Sequence, residues 1–143
     1  MSITKITLEK ITIPPSGLHI HIKVFLNNKV ARFVVDTGAS QTVIDKDKVE
    51  YYLPGSKHRK LEAITSGIGT SSMESHAAVI KNIRIGELRI KNHDLILLDL
   101  KHVNESYRMM GFKNIDGILG SDLLEKYSAV IDFKKSILKL YWK

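Results

Sequence analysis

The stretch that decides the fold is Phe33-Val34-Val35-Asp36-Thr37-Gly38-Ala39-Ser40. The run before Asp36, residues 30–35, ends on three consecutive apolar residues, which is typical of a strand buried on both faces. An acid at the end of such a strand costs desolvation free energy unless something compensates for it. The presence of Asp36 at this position therefore needs a structural or functional explanation. Gly38 allows a close backbone approach, and the Thr37 hydroxyl can hold the loop by hydrogen bonding. The triplet alone fits equally well a strand-ending turn in which Asp36 caps its own backbone.

Alternation of apolar and polar residues dominates the chain on both sides of this stretch. One half-buried strand carries Ile20, Ile22, Val24 and Leu26 on one face and His19, His21, Lys23 and Phe25 on the other. Asn27-Asn28-Lys29 predicts a hairpin turn between that strand and the one ending at Asp36, because Asn tolerates left-handed backbone geometry. Further strand-like runs are 77–80, 83–85, 88–90 and 95–100, punctuated by Gly86 and Asn92, and a last hairpin over 128–143.

Helix signals are few. The best is the run from Ser121 to Tyr127, with Ser121 as the expected cap and Asp122 in the first turn. Short strands at close spacing with one short helix near the C-terminus predict a mostly β protein with a closed barrel. No linker or repeat divides the sequence, so we expect residues 1–143 to form a single domain.

The amino-acid composition mainly excludes structural and functional classes of protein. The chain has 143 residues, a formal net charge of +7 and no Cys, which excludes a disulfide framework and a Cys nucleophile. The excess positive charge lies in residues 1–35 and 101–143 and forms no basic block, so a nucleic-acid partner is not expected. No apolar run is long enough for a signal peptide or a membrane span, which predicts a soluble, cytoplasmic protein with no membrane contact.

Two further stretches of sequence favour a functional interpretation of the Asp-Thr-Gly triplet. One is Asp116-Gly117-Ile118-Leu119-Gly120-Ser121-Asp122-Leu123-Leu124, an apolar strand that runs into the short helix. The other, between them in sequence, is the glycine-containing Ser66-Gly67-Ile68-Gly69-Thr70-Ser71-Ser72. In this combination the chain resembles the retropepsin-like aspartic proteases over about residues 18–142.

The resemblance implies roles for individual residues. Asp36 would be the catalytic carboxylate of an endopeptidase, and Thr37 and Gly38 would complete its loop. Ile118-Leu119-Gly120 would pack behind that loop. An extended peptide substrate would lie beneath flaps and be contacted by Ala39, Ser40, Gly67, Ile68 and Gly69. No metal or other cofactor is implied.

Peptide hydrolysis without a metal or a covalent nucleophile needs one carboxylate as base and a second, protonated carboxyl as acid. The chain has one Asp-Thr-Gly. Asp116 lacks the following hydroxyl residue and is expected just ahead of the packing strand, so it is a poor partner acid. The mechanism therefore requires a second Asp36 from a second copy, in a symmetric homodimer.

Other interpretations stay open beside this one. A dimeric binding module could keep the fold without catalysis, since fold does not imply activity. His19 and His21 could ligate a metal, but the sequence offers no third ligand, and exposed histidines on one strand face are expected instead. Residues 101–114 match no part of the family pattern and are expected to form a pocket wall.

Overall fold

The structure is a computed structural model that describes residues 1–56, 59–61 and 75–143, without the side chains of 59–61 and 75. The expected flap residues Gly67, Ile68 and Gly69 lie outside the described residues. The strands are β1 (Ser2–Thr7), β2 (Glu9–Ile13), β3 (Gly17–Leu26), β4 (Lys29–Val35), β5 (Val43–Asp45), β6 (Arg59–Leu61), β7 (Ser75–Ile85), β8 (Leu88–Leu98), β9 (Gly117–Leu119), β10 (Val130–Asp132) and β11 (Ile137–Trp142). The helices are α1 (Val49–Tyr52), α2 (Lys101–Met109) and α3 (Ser121–Lys126), and a 3-10 turn, Lys46–Lys48, precedes α1.

Six of the strands close into a barrel, which confirms the predicted fold class. Their order is β3-β4-β9-β5-β8-β7, and β7 closes the ring by pairing with β3 at Phe25–Arg84 and Leu26–Ile83. Strands β2 and β6 extend the barrel sheet, while β1, β11 and β10 form a separate three-stranded sheet. Closure pairs strand edges that would otherwise expose unpaired backbone groups.

The core follows the alternation seen in the sequence. Ile20, Ile22, Val24 and Leu26 all point into the barrel, and Leu26 is 0% exposed. Asn27 and Asn28 make the predicted turn between β3 and β4, with φ angles of 47° and 69°. Two consecutive positive φ values are what a tight two-residue hairpin turn requires. The strand pairing that carries Asp36 is therefore set by local sequence signals.

The structure departs from the sequence-based expectation in several respects. Helix α3 lies where predicted, but Gly120 occupies its cap position, so the capping role expected of Ser121 is wrong. Helix α2 was not predicted, because its cap residue, Leu100, makes no side-chain hydrogen bond to mark the start. Strand β8 continues through Asn92, which adopts a φ of 54° without ending the strand.

In the described part of the chain, no helix is long and apolar enough to cross a membrane.

Gly117 allows β9 to fit between β4 and β5. A Cβ at this position would collide with the Phe33 ring and the Val43 carbonyl, and Phe33 is only 1% exposed. Because a buried ring and a backbone carbonyl have little room to move, we expect Gly117→Ala to lower the free energy of unfolding by about 2 kcal/mol. Urea denaturation measures this. Gly17→Ala, whose Cβ would meet its nearest atoms at 3.3 Å, is the control and should cost clearly less; equal losses in the two variants would contradict the packing argument.

Candidate active site

Asp36 lies on an exposed loop directly after β4. Its backbone N–H donates to the Leu119 carbonyl at 3.0 Å, which continues the parallel pairing of β4 with β9 by one residue. One carboxylate oxygen, Oδ1, accepts a hydrogen bond from the Gly38 N–H at 2.9 Å. Within the described residues the other oxygen, Oδ2, accepts no hydrogen bond. Asp36 thus caps its own turn and still presents a free carboxylate oxygen.

Asp36 is not desolvated in the single chain, contrary to the expectation from the sequence. Val35 is buried, but Asp36 is exposed because the chain leaves the barrel at this point. Burial therefore gives no reason for an acid here in one copy of the protein.

The strand expected to pack behind the Asp36 loop does so. The Ser121 N–H donates to the Ala39 carbonyl at 2.7 Å. A Cβ at Gly120 would lie 2.7 Å from the Gln41 backbone and 2.9 Å from the Ala39 carbonyl oxygen. Only glycine lets the start of α3 approach the loop this closely.

A buried hydroxyl fixes the far end of the loop, and it belongs to Thr42 rather than Thr37. The Thr42 hydroxyl donates to Asp122 Oδ1 at 2.7 Å and accepts from the Gly120 N–H at 3.1 Å. The Thr42 N–H donates to Asp122 Oδ2 at 3.0 Å, and His93 Nε2 lies 3.1 Å from the same oxygen. Sequence reasoning missed this role of Asp122, because an acid in the first turn of a helix already had a sufficient explanation.

Hydrogen bonding also sets the charge state of Asp122. Burial by itself would raise the pKa of this carboxyl. The hydrogen bonds from Thr42, from the Leu123 N–H and from His93 outweigh burial and hold the pKa below its usual value. Asp122 therefore remains a carboxylate to low pH and keeps the loop fixed there.

Asp116 lies at the opposite end of the parallel strand pair from Asp36. Its carboxylate accepts a hydrogen bond from the Arg32 N–H at 2.8 Å, three residues before β4 ends. The register pairs Phe33 with Gly117 and Val35 with Leu119, so Asp116 precedes the strand as expected. Since parallel strands run in the same direction, Asp116 and Asp36 cannot form one pair within a chain.

An apolar surface flanks Asp36 on the same face of the sheet. Val34 lies two residues before Asp36 and therefore points to the same side of β4. Its partner across the sheet is Ile118, which in turn pairs with Val43. Val34, Ile118 and Phe112 are only half-buried. We call these three residues the apolar wall; it offers a surface for an apolar side chain beside Asp36.

Helix α2 packs against this face of the sheet. Tyr107 is 2% exposed and belongs to a small second core with Val43, Leu100 and Ile115, against which the apolar wall packs. The segment 101–114 thus packs against the face that carries Asp36, and its expected role as a pocket wall stays a prediction.

The prediction of two exposed histidines is wrong for His21. His21 is 1% exposed, because α2 covers its face of the strand. Its Nε2 lies 3.1 Å from the Tyr107 hydroxyl, which lies 2.7 Å from Nδ1 of the exposed His19. On its other side, His21 Nδ1 lies 3.1 Å from the Arg32 guanidinium, which also pairs with Glu9 at 2.7 Å.

The same contacts argue against a metal held by His19 and His21. Tyr107 would supply the third ligand that the sequence lacked, but Arg32 places a positive charge against the other nitrogen of His21. Metal-bound histidines instead donate that nitrogen's proton to a carboxylate or carbonyl. Burial and Arg32 lower the pKa of His21 to about 4, so the ring is neutral at pH 7.

Three carboxylates gather elsewhere in the described part of the chain. Oxygens of Asp45, Asp47 and Asp99 lie within 4.8 Å of one another. Asp45 accepts from the Asp47 N–H, and Asp99 accepts from the Lys101 N–H at the start of α2. Burial raises the pKa of Asp45. Local turn formation accounts for the positions of Asp45 and Asp99.

The remaining residues assigned from the sequence lie next to Asp36 or outside the described chain. Thr37 and Ser40 are exposed and Ala39 is half-exposed, all on the Asp36 loop. The Thr37 hydroxyl makes no hydrogen bond within the described residues. The proposed flap contacts, Gly67, Ile68 and Gly69, are not described. The structure therefore brings Asp36, Ala39 and Ser40 together.

Comparison with solved structures agrees with this architecture. A retropepsin-like aspartic protease from Rickettsia conorii is 22% identical and covers 98% of this chain and 91% of its own, with a TM-score of 0.59. The retroviral protease-like domain of Ddi1 from Leishmania major is 16% identical, covers 85% and 87%, and gives a TM-score of 0.56. EIAV protease, solved with the inhibitor HBY-793, is 18% identical, covers 86% and 100%, and gives a TM-score of 0.52. The fold is retropepsin-like.

Sequence comparison gives the same family. DNA damage-inducible protein 1 from Neurospora crassa is 28% identical over 122 residues, which is 83% of this chain. That match spans only 24% of the Neurospora protein. The aspartyl protease family model matches residues 22–123, a span that contains Asp36, Thr42 and Asp122. The chain belongs to the aspartyl protease family.

Proposed function

We propose that the protein is an aspartic endopeptidase in which Asp36 carboxyls from two copies activate a water molecule. The observation that carries the proposal is the Asp36 loop itself. It presents a free carboxylate oxygen, while Thr42, Gly120 and Asp122 hold the loop from behind. A general acid or base has to be held within hydrogen-bonding reach of its target, and this support supplies that rigidity.

The chemistry divides between the two carboxyls. One carboxylate removes a proton from water as the water oxygen attacks the carbonyl carbon of the peptide bond. The other carboxyl gives its proton to the carbonyl oxygen, which yields a neutral tetrahedral intermediate. As the carbon–nitrogen bond breaks, the protonated carboxyl gives its proton to the leaving amine. The other carboxylate takes a proton from a hydroxyl of the intermediate, so the pair again holds a single shared proton. Two carboxyls held this close cannot both ionise, which favours the singly protonated pair.

The second carboxyl comes from a second copy of the chain. Asp116 is held at the opposite end of the strand pair by Arg32. A two-fold axis through the site would bring two Asp36 loops together and cover carboxylates that are exposed in one copy. The exposed Thr37 hydroxyl is then available to bond across the same axis.

The substrate is an extended peptide with an apolar side chain near the cleaved bond. The apolar wall receives that side chain, while the backbone of Ala39 and Ser40 and the segment around Gly67, Ile68 and Gly69 contacts the peptide main chain. Main-chain hydrogen bonds to an extended peptide give affinity, and pockets for its side chains give selectivity.

Concentration dependence tests the two-copy site. We expect cleavage of a diverse peptide mixture, followed by mass spectrometry, to show a rate per chain that rises with protein concentration. The rise should follow the dimer fraction measured by sedimentation under the same conditions. Full cleavage activity at concentrations where the protein is monomeric would refute the shared site.

A non-catalytic peptide-binding module is the second candidate. It is favoured by the fact that one copy presents a single Asp-Thr-Gly carboxylate, which is sufficient for a binding surface but not for the proposed chemistry. This candidate predicts peptides that are retained but stay intact at every protein concentration. The same peptide mixture, recovered and weighed by mass spectrometry, separates the two functions.

A further inference from the structure

A chain of hydrogen bonds joins α2 to the barrel at Tyr107. A guanidinium can only donate, so Arg32 donates to His21 Nδ1. The neutral His21 ring then carries its proton on Nε2 and donates it to the Tyr107 hydroxyl. The Tyr107 O–H is left to donate to His19 Nδ1. Each group in this series of hydrogen bonds has a partner, and the Glu9 carboxylate pairs with Arg32, the group at which the series begins.

The ring of Tyr107 is fixed as well as its hydroxyl. It packs edge-on against both histidines, with ring centroids 5.8 Å from His19 and 5.2 Å from His21. It also packs edge-on against Phe112, and the Tyr107 carbonyl accepts a hydrogen bond from the Phe112 N–H at 2.8 Å. The position of Phe112, one of the three residues of the apolar wall, therefore depends on Tyr107.

We infer that Tyr107 is a positioning residue that sets which apolar side chains fit beside Asp36. The hydroxyl clamp from His19 and His21 holds the end of α2 against the sheet. Phe112 packs with Val34 and Ile118 against the same small core as Tyr107, so the same contacts also hold Phe112 in place relative to these two residues. The inference rests on the proposed function, because it assigns the selectivity of that same site.

Loss of the clamp has a definite physical consequence. Without the Tyr107 hydroxyl, the buried His21 Nε2–H has no acceptor, and an unsatisfied buried donor is costly. The structure can relieve this cost by moving α2 so that water reaches His21. A displaced α2 shifts Phe112 relative to Val34 and Ile118 and weakens discrimination between large and small apolar side chains at the apolar wall.

Tyr107→Phe tests the inference, since it keeps the ring and removes the hydroxyl. Tyr52→Phe is the matched control: the Tyr52 hydroxyl is also buried and donates to the Val30 carbonyl at 3.0 Å, but it lies on α1. The first readout is amide hydrogen exchange at pH 7. We expect exchange in α2 and at Phe112 to become at least about tenfold faster in Tyr107→Phe and to stay unchanged in Tyr52→Phe.

The second readout is the Kd for test peptides. It is measured with variants that also carry Asp36→Asn, so that no peptide is cleaved. The probes are extended peptides that differ only by Ala, Leu or Phe at one position. We expect the ratio of the strongest to the weakest Kd to shrink at least about fivefold in Tyr107→Phe and to be kept in Tyr52→Phe.

The two readouts separate failure of this inference from failure of the proposed function. Wild-type exchange rates in α2 of Tyr107→Phe, or equal changes in both readouts for Tyr52→Phe, would overturn the role of Tyr107. If no variant binds any peptide, the proposed function and the selectivity assigned here both fall. In that case faster α2 exchange would establish only a stabilising contact.

Discussion

Asp36→Asn is expected to lower peptide cleavage by about 10³-fold or more while leaving the fold and the dimer in place. Asparagine has the same shape, and its amide oxygen can still accept the hydrogen bond from the Gly38 N–H. It can neither take a proton from water nor give one to the substrate, so the acid–base step is lost. The measurement is the cleavage rate at saturating protein concentration, with sedimentation and thermal unfolding on the same samples.

Mixed dimers and a matched control sharpen this experiment. Asp47→Asn removes an exposed carboxylate elsewhere, one whose side chain makes no hydrogen bond within the described residues, and should cleave at the wild-type rate. A dimer of one wild-type and one Asp36→Asn subunit should be as inactive as the doubly substituted dimer, because each site needs both carboxyls. Undiminished cleavage by Asp36→Asn would remove the proposed mechanism altogether.

Local signals were sufficient to predict the barrel and the position of Asp36 within it. The alternation on β3 and the Asn27-Asn28 turn fix the pairing of β3 with β4. Gly117 allows β9 to pair with β4, because only a residue without a side chain fits against the Phe33 ring at that position. These features depend on neighbours in sequence or on one close contact, which is why a pattern reveals them.

The environment of the histidines could not be predicted in the same way. His21 looked exposed because its face of β3 alternates with the core face, and nothing in the strand itself shows that α2 covers it. The helix is mostly polar and starts without a side-chain cap, so it gives no clear local signal. The contact between Thr42 and Asp122 could not be predicted either, because tertiary packing brings together two positions that lie 80 residues apart in the sequence.

Stability is expected to fall between pH 6.5 and pH 4, and His21 is the group responsible. Burial and the Arg32 charge lower its pKa from 6.5 to about 4 in the folded chain. In that interval the unfolded chain binds more protons than the folded one, so acid favours unfolding. The contribution is fully present above pH 6.5 and is lost as the pH falls toward 4. Its full size is at most about 3 kcal/mol.

His21→Gln separates this effect from general acid denaturation. Glutamine stays neutral, and its amide can accept from Arg32 and donate to Tyr107. Urea denaturation from pH 4 to pH 8 should therefore give a flatter stability curve for His21→Gln than for the wild type. His102→Gln is the control, because the His102 side chain is 95% exposed, and its curve should follow the wild type. Parallel curves for His21→Gln and the wild type would show that His21 carries no such linkage.

Asp122 acts in a lower pH window, which keeps the two effects distinguishable. Its folded pKa lies below the ordinary value of 3.8, so its contribution is present above that pH and is lost only in stronger acid. Between pH 6.5 and pH 4, His21 is therefore the group whose protonation destabilises the fold. Acidic to mildly acidic pH is also where cleavage by a carboxyl pair with one shared proton is expected to be fastest. Acid should thus favour the chemistry and weaken the fold together, and His21→Gln should extend cleavage activity to lower pH.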